Sequence, residues 1–265
     1  MPCKDLSDVE KLLLEYISIE STTGKEGELG ETVKMQLEEN GWIVEKQPVD
    51  ENSSRFNILA TRKPLAECCP RLLFNTHFDV VPPFIPPTED ADKIYGRGSS
   101  EAKGQLACMI SAAQALAETR PEIAEQLALL FVVGEEIDHI GMQKANEFTA
   151  LKPDYLVVGE PTELKFGTIQ KGALKVIIRC NGIAGHSGYP SEGESAIHKL
   201  IPVLNDVLNY EWPSDEKNGA TTVNIGIIKG GQAQNAFAES AEARVFVRVT
   251  TSVADIQKKL EEIVA

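Results

Sequence analysis

The sequence predicts an α/β protein, a mostly parallel mixed sheet with flanking helices, followed by a smaller ferredoxin-like α+β lid domain. Three observations carry this expectation. Short apolar runs, among them residues 72–74, 127–133 and 155–158, alternate with helical patterns, as buried parallel strands do. Each of those runs ends in a polar turn, Asn75-Thr76-His77-Phe78-Asp79, Gly134-Glu135-Glu136 or Gly159-Glu160-Pro161, and open α/β sheets collect ligands beyond the carboxyl ends of their strands. After Phe166 the order becomes strand, helix, strand, strand, helix, a ferredoxin-like unit one strand short. The expected division is a metal-binding domain over residues 1–170 and a lid or dimerisation domain over 171–265, with the chain stopping before either is complete.

Taken in order, Ser7 can cap a helix carrying Val9, Leu12, Leu13 and Ile17 on one face. Residues 25–40 fit a second amphipathic helix, stopped by Gly41. Strands are expected at 42–47, 56–61 and 71–76. The prolines between Val81 and Pro87 require a loop. Gly96-Arg97-Gly98-Ser99-Ser100 then turns into a helix over residues 102–118. A strand at 127–133, a short helix near 138–148 and a strand at 155–158 complete the alternation. In the second domain, residues 174–180, 221–228 and 243–249 read as strands, and 195–208 and 253–264 as helices.

Composition narrows the function class. With 26 basic and 40 acidic residues the formal charge is −14, so a nucleic-acid footprint is not expected. No basic-then-apolar leader opens the chain, and no apolar run is long enough to span a bilayer. A cytoplasmic protein is expected, with neither membrane nor nucleic acid as partner. Cys3, Cys68, Cys69, Cys108 and Cys180 form no CxxC pair and are odd in number, which fits reduced thiols. Cys108 and Cys180 sit in apolar segments and read as packing residues.

Four turns carry the candidate chemistry. His77 and Asp79, two apart on a strand, face one way, about 7 Å apart at the backbone. A zinc-binding imidazole commonly gives its other N–H to a carboxylate, although a lone His-x-Asp is more often a surface histidine. Glu135 and Glu136 repel one another unless a cation or solvent relieves them. One can bind metal while the other acts as general base for water, or both can be solvated at a helix start. Glu160 repeats the strand, glycine, carboxylate arrangement, with a turn residue in water as the alternative. Gly96 and Gly98 let the chain turn tightly and bring Glu101 to a helix N-terminus, and neither common phosphate-loop spacing is present. One imidazole and several carboxylates converging at one sheet edge form a donor set suited to zinc.

In their order and spacing, "NTHFDVVPP", "YGRGSSEAKG", "VVGEEID", "VVGEPT" and "GIAGHSGYP" resemble the cocatalytic zinc amidohydrolases and metallopeptidases. That family includes acetylornithine deacetylase, succinyl-diaminopimelate desuccinylase, aminoacylase and glutamate carboxypeptidase. The resemblance runs from the first helix to about residue 250. It implies hydrolysis of an amide bond in an N-acyl amino acid or small peptide, two Zn2+ ions with Co2+ or Mn2+ as substitutes, and a homodimer formed through the lid. It implies His77 and Glu160 on the first zinc, with Asp79 orienting His77. It also implies Glu101 bridging two zincs, Glu136 on the second, and Glu135 as general base. His186 resembles a lid histidine that stabilises the oxyanion, often across a dimer. Asn235, Arg248 and Lys171 lie where substrate-contacting residues occur.

Two departures bear on activity. The family's bridging carboxylate is normally aspartate, and Glu101 is one methylene longer in a site where small misplacements are expensive. The family's second zinc takes a histidine near the C-terminus, and neither His139 nor His198 stands at such a place. A catalytically impaired relative acting in binding or dimerisation is therefore the rival expectation. A serine hydrolase is a third, since "GHSGY" approaches GxSxG, but Tyr189 occupies the final glycine position and no strand-to-helix elbow surrounds it.

Overall fold

The computed structural model describes residues 6–51 and 54–265. Cys3 and the first five residues, on which the leader expectation rests, lie outside the described residues. The chain divides into two compact units, Met1–Lys165 and Phe166–Ala265.

The first unit is an α/β layer. In chain order it contains α1 (Asp8–Ser18), α2 (Gly27–Glu39), β1 (Ile43–Pro48), β2 (Phe56–Thr61), β3 (Leu72–His77), β4 (Thr88–Glu89) and β5 (Ile94–Tyr95). There follow α3 (Lys103–Thr119), α4 (Pro121–Ala124), β6 (Leu127–Val132), α5 (Ile140–Ala145) and β7 (Tyr155–Val158). The main sheet has the order β1-β2-β6-β3-β7. Strands β6 and β7 run parallel to β3, whereas β1 with β2 and β2 with β6 are antiparallel. Because β3, β6 and β7 share a direction, their carboxyl ends leave the sheet at the same edge.

Local chemistry accounts for the elements. Ser7 and Glu10 form a reciprocal capping box at the start of α1, which satisfies two of its orphan N–H groups. Strand β6 is buried at every position, and its period of two divides it between two cores. Leu127, Leu129 and Phe131 pack with Tyr16, Leu37, Leu106 and Ile110, while Ala128, Leu130 and Val132 pack with Leu59, Leu73 and Ala145. Each large side chain so enclosed contributes roughly 1.5–3 kcal/mol.

Three sequence expectations are corrected. Strand β7 is parallel as expected but not buried: Tyr155, Leu156, Val157 and Val158 are 66, 55, 45 and 52 % exposed. Among the described residues it pairs with β3 alone and forms the sheet edge, so an apolar run there is not enclosed on both sides. Cys108 is exposed rather than packed, because the helical period of α3 turns Leu106, Ala107, Ile110 and Ala113 inward. The helix expected near 138–148 is limited to Ile140–Ala145, entered through His139 at φ 57°.

Gly141 shows how closely α5 approaches β6. A Cβ there would lie 2.3 Å from the Val133 carbonyl oxygen and 2.6 Å from Asn57 Oδ1. Neither neighbour is free to withdraw, since Gly141 N donates to Val133 O and Asn57 Nδ2 donates to Gly141 O. Gly141→Ala is expected to destabilise the first unit by about 1–3 kcal/mol, read as a lower denaturant midpoint at constant slope. An unchanged midpoint would show that this turn yields easily.

The second unit is an α+β layer of β8 (Gly172–Asn181), α6 (Ala196–Asn209), β9 (Ser214–Asp215), β10 (Gly219–Ala220), β11 (Thr222–Gly230), β12 (Ser240–Val249) and α7 (Val253–Val264). Its sheet has the order β11-β12-β8, antiparallel throughout. Leu200 and Leu204 of α6, Ile256 and Leu260 of α7, and Val245 and Val247 of β12 form its core. Cys180 is half-buried against that core. Ser195 and Ser252 cap the two helices by accepting from His198 N and Asp255 N. Among the described residues no helix is long and apolar enough to cross a membrane.

Candidate metal centre

Three parallel strand ends deliver the side chains. His77 closes β3, paired with Val132 of β6. Gly134, at φ +72°, turns the chain out of β6 into Glu135 and Glu136. Gly159 N donates to Asn75 O (2.8 Å) and Thr76 Oγ1 donates to Gly159 O (2.8 Å), pinning the turn that carries Glu160 against β3. Glu101 precedes α3, and Gln105 Nε2 donates to Ser100 O at 2.9 Å to hold that loop. The same Gln105 packs on Gly159, where an added Cβ would lie 2.9 Å from the Gln105 Cβ.

His77, Glu101 and Glu160 each offer one ligand atom, and these atoms lie within 4.8 Å of one another. His77 Nε2 is 3.7 Å from Glu160 Oε1 and 3.9 Å from Glu101 Oε1. That nitrogen is buried and has no hydrogen-bond partner, a costly arrangement for a polar atom unless something else occupies it. The other ring nitrogen, Nδ1, is 3.0 Å from the Asp79 carbonyl oxygen and 3.4 Å from its Oδ1. The structure thus brings together three of the four residues named as ligands from the sequence. Glu136 lies outside this trio, its amide bonded at 3.2 Å to Asp79 Oδ2. His139 Nδ1 stands 3.6 Å from Glu135 Oε1.

The electrostatics follow from crowding. Burial pushes the His77 pKa down, but the bond and charge of Asp79, with Glu160 and Glu135 nearby, outweigh it and lift the value to about 9. Burial and then Glu101 push Glu136 up to about 7. Burial likewise raises Glu160, with Glu101 and Glu135 adding to it against the opposing pull of His77. Asp79 moves the other way: burial would raise it, yet His77, Thr23 and the Glu135 amide hold it below the ordinary range. The donor set is the kind a divalent cation satisfies: an orphaned imidazole nitrogen beside mutually repelling carboxylates.

A cation requires neutral imidazole and ionised carboxylates. Binding must therefore displace the proton that leaves His77 near 9, and any held by Glu160, whose pKa burial raises. Zinc affinity is expected to rise from pH 6 to 9, by up to about tenfold per pH unit for each proton displaced. Competition with a chelator across that range measures it, and a flat profile would mean these groups do not meet the ion. Without metal the sign reverses for His77. Its raised pKa stabilises the fold fully below 6.5, and that contribution is lost as pH climbs through about 9.

Other contributors were not singled out from the sequence. Lys103 is fully buried, and its ammonium donates to Tyr16 O (2.9 Å) and Ile19 O (2.7 Å) at the end of α1. Desolvation lowers its pKa to about 8. Glu26, also fully buried, accepts two bonds of 2.8 Å from Arg55 Nε and Nη2. A cation amid the apolar face of α3 was the available signal for Lys103. Glu26 and Arg55 are too far apart in sequence for pattern to pair them.

His186, Lys171, Asn235 and Arg248 belong to the second unit. Gly188 N donates to His186 Nδ1 at 3.0 Å, so a neutral ring carries its proton on Nε2. Ser187 N donates to Asn235 O at 3.0 Å and His186 bridges Ala236, which sets His186 and Asn235 on adjoining segments. Lys171 Nζ donates to Ala220 O (2.8 Å), and the Arg248 guanidinium lies 4.5 Å from the Phe246 ring centre.

Comparison with known proteins agrees with this architecture. Residues 168–265 match the peptidase dimerisation domain of the M20 family. A peptidase M20 domain-containing protein of Schizosaccharomyces pombe is 38 % identical over 266 residues, covering 99 % of this chain and 65 % of the relative. A probable carboxypeptidase of Ajellomyces capsulatus is 38 % identical over 275 residues, covering 93 % of this chain and 62 % of the relative. In fold, an M20 family metallo-carboxypeptidase from Sulfolobus solfataricus superposes with a TM-score of 0.71 at 15 % identity, over 97 % of this chain and 75 % of that one. The chain spans 60 to 65 % of the length of these curated relatives and others like them.

Proposed function

We propose that this protein is a metal-dependent hydrolase that cuts an amide bond in a small peptide or N-acyl amino acid. The observation that carries the reading is His77 Nε2, buried without a partner and facing the carboxylates of Glu101 and Glu160. Similarity to M20 peptidases and probable carboxypeptidases supports it. A divalent cation, zinc in the first instance, held by His77, Glu101 and Glu160 with Glu136 beside them, would supply Lewis-acid polarisation and a more acidic water.

The chain's own residues do the rest. Glu135, at the end of β6 and partly open to solvent, takes the proton of the attacking water and returns it to the leaving amine. Asp79 fixes the imidazole of His77 and the backbone of the glutamate turn. His186, protonated on Nε2, is the candidate donor to the tetrahedral oxyanion. Asn235, Arg248 and Lys171 are candidates for holding the substrate carboxylate. The finer assignments are an acetylornithine deacetylase-like preference for acylated amino acids, cytoplasmic residence and a homodimer through the second unit.

A second reading, a catalytically silent relative that binds or dimerises, is favoured by one observation: Glu101 stands where the resembling family normally carries aspartate. Metal analysis of the purified protein, paired with hydrolysis of N-acetyl amino acids and dipeptides, separates the two. Metal uptake with hydrolysis supports the enzyme, metal uptake without hydrolysis supports the silent relative, and no uptake sinks the metal centre itself.

A further inference from the structure

We propose that Thr23 is a positioning residue of this centre: its hydroxyl fixes the Asp79 carboxylate, and through it the His77 imidazole and the Glu135–Glu136 turn. The functional half of this proposal rests on the metal-centre reading above, and the structural half stands without it.

The argument starts where β3 ends. Sheet pairing stops near His77, yet Phe78-Asp79-Val80 must hold its course for Asp79 to meet its partners. Residues 21–23 provide that guide. Ser21 Oγ donates to Phe78 O (2.7 Å), Val80 N donates to Ser21 O (3.0 Å), and Thr23 N donates to Val80 O (3.1 Å). Thr22 and Val80 form a parallel bridge. These bonds place the backbone, and only one contact from this segment reaches the carboxylate itself. Thr23 Oγ1 donates to Asp79 Oδ2 at 2.8 Å.

Asp79 is wholly buried, so its oxygens depend on protein donors. Oδ1 accepts from Glu135 N at 3.0 Å and lies 3.4 Å from His77 Nδ1. Oδ2 accepts from Thr23 and, at 3.2 Å, from Glu136 N. One carboxylate thereby joins the imidazole on β3 to the glutamate turn after β6. The Thr23 bond is the shortest of its donor contacts and the one that comes from neither β3 nor the turn after β6. Without it, Oδ2 retains only the longer amide bond, and rotation of the carboxylate would loosen both walls together.

Thr23→Val keeps the shape and the backbone bonds and removes only the hydroxyl. In the metal-free protein, amide hydrogen exchange at Glu135 and Glu136 is expected to quicken about fivefold, the equivalent of one typical net hydrogen bond. Zinc affinity, read by chelator competition, is expected to fall about tenfold, as for loss of an orienting partner. Thr23→Ser should restore both. Thr32→Val, which removes a hydroxyl in a solvent-exposed bond to Glu28 O on helix α2, should change neither. Thr23→Ala replaces Thr23→Val if the latter does not fold, with the same expectations.

Unchanged exchange at Glu135 and Glu136 in Thr23→Val would overturn the proposal. So would faster exchange spread evenly over all core amides, or a failure of Thr23→Ser to rescue, since either marks a merely structural role. If the parent protein takes up no zinc, the metal-centre reading falls, and the exchange result alone decides the role of Thr23.

Discussion

Glu135→Gln is expected to lower amide hydrolysis by roughly 10²–10⁴-fold while zinc content stays at the parental level. The substitution is nearly isosteric and leaves the Glu135 amide free to donate to Asp79 Oδ1, a bond of 3.0 Å in the parent protein. What it removes is a carboxylate able to accept a proton from water and give it to the departing amine. The expected signature is a fall in kcat with little change in KM, because the group acts on the reaction rather than on substrate binding. Parental turnover in Glu135→Gln would remove it as the base and direct attention to Glu136, whose pKa is raised to about 7.

The second large effect concerns His77. Structural zinc sites are worth about 10–16 kcal/mol over their ligand sets, so one of four ligands carries about 3 kcal/mol, and His77→Ala is expected to weaken zinc binding at least about 100-fold. The folded state should survive, because the substitution also removes a buried nitrogen that has no partner in the metal-free protein. Calorimetric titration with zinc, alongside a thermal melt of the metal-free variant, reads both quantities. Tight zinc binding by a folded His77→Ala protein would show that the trio is not where the cation sits.

The strand ends were legible because the physics that buries a strand also ends it. The apolar run 127–133 had to stop where Gly134 turns, and the carboxylates that follow had to lie at the sheet edge. That logic placed His77 and Glu160, the glycine turn before α3 and the family resemblance added Glu101, and the structure brings the three within reach of one ion. The resemblance places Glu136 on a second ion, and its side chain accordingly is not one of the three that meet here. Exposure was harder to read. Tyr155 to Val158 has the composition of a covered strand, and only its place at the end of the order β1-β2-β6-β3-β7 leaves it bare. Cys108 was misread for a related reason, an apolar neighbourhood in sequence being divided by the helix into two faces. Thr23 was invisible, since its partner Asp79 is 56 residues away and nothing in a lone threonine marks it as an anchor.

The two strands that frame the centre differ in how firmly they are seated. Strand β6 is gripped by a core on either side, so motion of its terminal turn requires both to part. Among the described residues strand β7 hangs from a single neighbour, and local opening there costs less than in β6. The centre thus has one stiff wall and one pliant wall. Ion exchange with bulk water, and any give needed to admit a bulkier guest, are expected to run through the Glu160 side.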